Sequence, residues 1–277
     1  MILTMSECTH DCGSCGSDCS KKEQSMLENL NRYSSISKKV VGIVSGKGGV
    51  GKSFVTASIG CQLAKQGYRV GILDADITGP SIPKMFGIHG RATMDDNGIY
   101  PANTVSGIKV MSTNLILETE ETPVIWRGPV MAGIVKQFWT DVVWGELDYL
   151  LIDMPPGTGD VPLTVFQSIP VDEIVVVTSP QDLVSMIVGK ACNMAKTMNI
   201  KVLGLVENYS YLQCPDCNRK IYLYGQSKID EVAKKHSCKV LQQLPIMPEV
   251  AEVINREEFE SIPHDYVNKV VDAIINE

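Results

Sequence analysis

Val40-Val41-Gly42-Ile43-Val44, followed after Ser45 by Gly46-Lys47-Gly48-Gly49-Val50-Gly51-Lys52-Ser53, decides the fold. The first run is short and β-branched, as suits a strand buried on both faces. The octapeptide fits G-x-x-x-x-G-K-[ST]. Its glycines let consecutive backbone N–H groups curl around a phosphate without Cβ clashes. The helix that follows points its positive end at the same anion. Lys52 can reach the outer phosphates and the Ser53 hydroxyl can ligate Mg²⁺. Val55, Ile59 and Leu63 then recur at the spacing of one buried helix face. Strand, glycine loop and helix in this order imply a nucleotide phosphate site.

Further out, similar apolar runs stand at Arg69–Leu73, Ile108–Met111, Tyr149–Ile152, Glu173–Thr178 and Val202–Val206, with a weaker one at Lys239–Leu244. Helical stretches separate most of them. The expected class is therefore α/β, a mostly parallel central sheet flanked by helices, with ligands at the carboxyl ends of the strands. Two runs end in acid there: Asp74 and Asp76 close one, and Asp153 closes another. Carboxylates on that edge face the phosphate loop. Gly87–Gly107 and residues 213–225 interrupt the alternation and read as insertions. Residues 1–38 are polar and Cys-rich and read as a flexible arm, with one helix around Glu23–Asn31; residues 39–277 read as one P-loop domain.

The chain has 277 residues, with 25 Lys+Arg against 32 Asp+Glu for a net charge of −7. That balance argues against a general nucleic-acid or acidic-membrane binder. No apolar run approaches the roughly 18 residues of a membrane-spanning helix, and the polar first twenty residues lack the apolar core of a signal peptide. A cytoplasmic location is expected, with neither nucleic acid nor membrane as partner.

The nine cysteines are clustered. Cys8, Cys12, Cys15 and Cys19 supply four thiols in one segment, which can close a metal site alone, with His10 as a substitute ligand. Cys214-Pro215-Asp216-Cys217 puts two thiols on a tight turn, half of a four-thiolate site. A redox dithiol and half a zinc site are the alternatives for this pair, and zinc or unligated thiols for the first four. Cys61, Cys192 and Cys238 stand alone and read as buried packing. His89, His236 and His264 read as surface or loop residues.

Lys47, a second lysine inside the loop, makes Gly-Lys-Gly-Gly-Val-Gly-Lys-Ser resemble the deviant Walker A of the MinD/ParA/nitrogenase-iron-protein superfamily. Further along stand Asp76-Ile77-Thr78-Gly79-Pro80-Ser81, Trp126-Arg127-Gly128-Pro129, Pro155-Pro156-Gly157-Thr158-Gly159-Asp160, Glu207-Asn208-Tyr209-Ser210 and the Cys214–Cys217 turn. Over residues 38–277 these resemble the Mrp/ApbC family of ATP-binding iron–sulfur cluster carriers. The resemblance implies a homodimeric, slow, Mg²⁺-dependent ATPase with ATP, Mg²⁺ and a [4Fe–4S] cluster as its cofactors. It implies that Lys47 reaches the partner's nucleotide, Asp76 positions water and Asp153 holds Mg²⁺, with Asp74 supporting the ion through water. It further implies that Asn208 reads the adenine edge and that Cys214 and Cys217 share a cluster between two subunits. Scaffold proteins and apo iron–sulfur proteins are the implied partners. Two departures stand out. Phe54 replaces a Thr that helps hold the α-phosphate, and Pro245-Ile246-Met247-Pro248 departs from the family's segment near the base. A MinD/ParA-like positioning ATPase and an ATP-driven electron donor resembling the nitrogenase iron protein are the alternative functions.

Overall fold

The computed structural model describes residues 27–76, 79, 81–116, 128–157, 159–180 and 184–277. Cys8, Cys12, Cys15, Cys19, Trp126 and Arg127 therefore lie outside the described residues. The phosphate loop leaves strand β1 (Ser35–Ser45) and enters helix α1 (Lys52–Lys65). The chain continues through β2 (Val70–Asp74), α2 (Ile82–Met85), a hairpin of β3 (Thr93–Asp95) and β4 (Gly98–Tyr100), β5 (Ala102–Asn103) and β6 (Lys109–Ser112). Then follow α3 (Gly128–Thr140), β7 (Glu146–Asp153), α4 (Asp160–Ser168), β8 (Glu173–Thr178) and α5 (Val184–Thr197). The last part holds β9 (Lys201–Gln213), β10 (Lys220–Ile221), α6 (Ile229–His236), β11 (Val240–Ile246), α7 (Glu249–Asn255) and α8 (Asn268–Asn276).

The main sheet runs β10-β9-β8-β1-β7-β2-β6-β5, with β11 parallel to β9. β1 lies between β7 and β8, parallel to both, so chain order reverses at its carboxyl end. That crevice is where a parallel sheet takes its ligand, and the glycine loop fills it. Alternate residues of the central strands feed two cores. Val40, Val44, Leu150, Ile152, Ile174 and Val176 pack under α3, α4, α5 and α6. Val41, Ile43, Tyr149, Leu151, Val175 and Val177 pack under α1 and α8. Val55, Ile59 and Leu63 of α1 are fully buried in the second core, each worth about 1.5–3 kcal/mol relative to exposure.

All seven expected strands are present, and β1 and β9 extend furthest beyond their apolar runs. β1 begins at Ser35, pairing Ser35 with Glu146 and Ile36 with Leu147. The expected arm–domain boundary at residue 38 falls inside this strand. The chain joins the fold earlier still: Glu28 N–H donates to the Ser168 carbonyl, and Asn31 is buried with its amide on the Asn97 and Asp141 carbonyls. Residues 27–31 are not helical, which corrects the described end of the expected helix. β9 runs on through Glu207–Gln213, because β11 supplies a second ladder on its far side. His264 is buried, not superficial, with its two ring nitrogens on the Tyr266 hydroxyl and the Phe259 carbonyl.

Candidate functional site: a phosphate-loop cleft and a two-cysteine turn

Two glycines fix the loop. Gly51 sits at φ +78°, and a Cβ there would collide with the Asn208 amide. A Cβ on Gly46 would collide with Ile187 of α5. The loop is thus clamped between α5 and β9, where only glycine fits.

Beneath it the charges are self-paired. Lys52 is 5% exposed, with Nζ 2.8 Å from Asp153 Oδ2 and 3.7 Å from Asp76 Oδ2. Asp153 is fully buried and also accepts from Ser53 Oγ at 2.5 Å and Thr56 Oγ1 at 2.7 Å. Asp74, register partner of Asp153 on β2, accepts from Ser112 Oγ and from the Asp76 and Ile82 amides. Burial pushes its carboxyl well above the ordinary range, and the Asp153 charge adds to that. The oxygen donors Ser53 and Asp153, with Asp74 behind them, suit Mg²⁺, a hard cation held by few protein ligands.

Lys47, Gly48, Gly49, Val50, Gly51, Lys52, Ser53, Asp76 and Asn208 all line one cleft of about 510 Å³. Gly46 precedes it, and Asp74 and Asp153 lie behind Lys52 at the strand ends. Asn208 is buried; its Nδ2 donates to the Val50 carbonyl at 3.0 Å. Phe54 lines the cleft too, its ring stacked on Tyr266 at 5.7 Å and edge-on to Phe259. Met85, Met247, Val250 and Ile254 extend this apolar wall. Thr56 and Tyr209 were not anticipated. Thr56 had a signal, since one helical turn places it beside Lys52. Tyr209 carries only its place after Asn208.

The second feature stands just past the end of β9. Cys214 N–H donates to the Arg219 carbonyl and Asn218 N–H to the Cys214 carbonyl, closing a tight turn. Cys217 is exposed. Backbone N–H groups of Cys217 and Asp216, with the Cys217 thiol, hold the Cys214 thiol below its ordinary range, which favours the thiolate, the form that ligates metal. Among the described residues no group of three or more His, Cys, Asp and Glu is placed to hold a metal. Among the described residues the turn therefore offers two thiols to soft metal and no third ligand. Cys61 and Cys192 are buried; Cys192 and Cys238 are in contact, Sγ to Sγ 3.3 Å.

Residues 36–277 match the ParA-type family of NUBPL iron-transfer P-loop NTPases. The chain belongs to that family. An iron–sulfur cluster carrier protein of Clostridium perfringens is 48% identical over 231 residues, covering 80% of this chain and 81% of the relative. A nucleotide-binding protein from Archaeoglobus fulgidus, solved in complex with ADP, superposes with a TM-score of 0.74 at 40% identity, covering 88% of this chain and 93% of that one. The cell-division protein MinD of Aquifex aeolicus shares the fold at TM-score 0.59 and 21% identity, covering 86% and 97%. A P-loop NTPase of the iron-transfer family thus presents its phosphate loop and a C-x-x-C turn from one continuous sheet.

Proposed function

We propose that this iron-transfer P-loop NTPase works as a homodimer that binds ATP and Mg²⁺, hydrolyses slowly as a switch, and carries a [4Fe–4S] cluster from scaffold proteins to apo iron–sulfur proteins in the cytoplasm. One observation carries the reading. β9 places Asn208 on the wall of the phosphate-loop cleft and ends directly before Cys214, so one strand serves both sites. A cuboidal cluster takes four thiolates, and two copies of the Cys214–Cys217 pair supply them. Relatives named iron–sulfur cluster carrier protein support this cargo.

Within the cleft, the outer phosphates of ATP take over Lys52 from Asp153 and Asp76. Ser53 and Asp153 then hold Mg²⁺, with Asp74 behind them. Bound Mg²⁺ neutralises charge on the transferred phosphoryl oxygens. Asp76 orients the attacking water, Lys47 reaches the partner's nucleotide and Asn208 reads the base. Cys8, Cys12, Cys15 and Cys19 hold a metal of their own, iron–sulfur or zinc.

A positioning ATPase of the MinD type is the alternative; the match to the iron-transfer family and the relatives named iron–sulfur cluster carrier protein favour the carrier. The test is cluster transfer from the full chain, with Cys8, Cys12, Cys15 and Cys19 changed to Ser, to an apo [4Fe–4S] enzyme, read as recovered activity. Cys214→Ser or Cys217→Ser should abolish transfer while ATP binding persists. Undiminished transfer by both variants would refute the reading.

A further inference from the structure

Between the cleft and the Cys turn lies a buried carboxylate that neither site uses. Glu207 is 1% exposed. Its Oε1 accepts from Ser227 Oγ at 2.8 Å, and its Oε2 from Ser210 Oγ at 2.7 Å and Gln243 Nε2 at 2.8 Å. Among the described residues these hydrogen-bond partners are all neutral. Burying a carboxylate on neutral donors is expensive, and nearby apolar packing would hold the strands together without it. What the carboxylate gains is a junction, because its partners belong to three different pieces of the chain.

Ser227 closes the loop that carries the cysteines, following Gly225 and Gln226, which line a hollow beside Cys214 and Cys217. Its Oγ also accepts from Ile229 N–H at the start of α6. Gln243 belongs to β11, whose Pro245 and the following Met247 line the nucleotide cleft. Ser210 lies on β9 itself. The residues directly after Glu207 are Asn208, which grips the Val50 carbonyl, and Tyr209. Tyr209 sits at φ +58°, a left-handed conformation rare for an aromatic residue, and its hydroxyl end covers Gly51. Strain of this kind persists only where the surroundings over-determine it. Beyond it, Tyr211 meets Tyr222 edge-on at 6.4 Å and lies under Lys220 Nζ at 4.0 Å, tying the Cys loop a second time to β9.

We propose that Glu207 is a positioning residue that transmits occupancy of the phosphate-loop cleft to the Cys214–Cys217 turn, by holding Ser227 and Gln243 to the strand that carries Asn208 and Tyr209. Nucleotide entering the cleft displaces the Asn208–Tyr209 segment. Through the Glu207 carboxylate that shift moves the far end of the Cys loop, and thiol exposure changes. This deepens the carrier reading by naming the route that regulates the cargo site, and it rests on that reading for its purpose. The proposed route lies within one chain.

The experiment reads the turn without any cluster, so its outcome is separable from that of cluster transfer. Full-length protein is alkylated with iodoacetamide, with and without saturating ADP, and the labelling rates of Cys214 and Cys217 are followed by peptide mass spectrometry. In the parent protein ADP should change these rates at least about threefold. Ser227→Ala, which touches no cleft residue, should bind ADP as the parent does and lose that difference. Glu207→Gln, with one acceptor oxygen left, should retain a part of it. An unchanged ADP effect in Ser227→Ala would overturn the proposal. So would identical rates with and without ADP in parent protein that demonstrably binds ADP.

Discussion

The phosphate loop and the Cys turn sit on one sheet but are built on opposite terms. At the loop, Asp153 is fully buried and Lys52 nearly so, and each has its counter-group within the chain. At the turn, Cys217 is exposed, Leu223 and Tyr224 are 58% and 50% exposed, and the two thiols have no third ligand among the described residues. The loop's charges are satisfied within one chain; in the proposed reading the turn needs a second. A buried ion pair survives only with its remaining hydrogen bonds satisfied, so the loop must be assembled as the chain folds. An exposed dithiol has no such requirement and can wait for cargo and partner.

The sharpest way to break this contrast is Lys52→Ala. Removing the cation that pairs with Asp153 and Asp76 leaves two carboxylates facing the incoming phosphates. ADP and ATP affinity, measured by titration calorimetry, should fall more than about 100-fold, while the Cys turn still binds cluster. Retained nucleotide affinity would show that the glycine loop suffices alone.

Lys47→Ala should act later and less. Binding of ATP should change by less than about threefold, whereas turnover should fall on the order of 10²-fold if the lysine serves the transition state across a dimer. Equal turnover by the variant and the parent would remove Lys47 from the catalytic set.

Phe54→Thr should give the smallest effect and the most informative sign. A hydroxyl restored in the first turn of α1 should tighten ADP about fivefold, on the order of one hydrogen bond. The lost stacking on Tyr266 should lower the melting temperature of the nucleotide-free protein. Unchanged affinity with lowered stability would make Phe54 a core residue that merely borders the cleft.

The same contrast explains what was legible in the sequence. Central strands buried on both faces announce themselves as β-branched runs, and the glycine loop is legible as an eight-residue pattern, although Ile187 and Asn208, far along the chain, are what exclude a side chain at Gly46 and Gly51. Glu207–Gln213 lies beyond the apolar run Val202–Val206; pairing with β11, far along the chain, and with β10 at its end makes it strand. Ser35–Lys39 is polar, and β7 recruits it. The Glu207 junction depends on Ser227 and Gln243, 20 and 36 residues away, and no local pattern marks such a meeting. His264 is hidden for the same reason, buried by Phe259 and Tyr266.

The central claim is that one chain suffices to bind nucleotide and two chains are needed to hold the cluster. It is tested most directly by stoichiometry in the protein with Cys8, Cys12, Cys15 and Cys19 changed to Ser, reconstituted anaerobically and run on a sizing column with iron, sulfide and ADP assayed across the peak. The account predicts about one ADP per chain in every species, about one [4Fe–4S] cluster per two chains, and cluster absorbance confined to the dimer. A full cluster on a monomer, or stoichiometric zinc in place of iron after anaerobic purification, would contradict it.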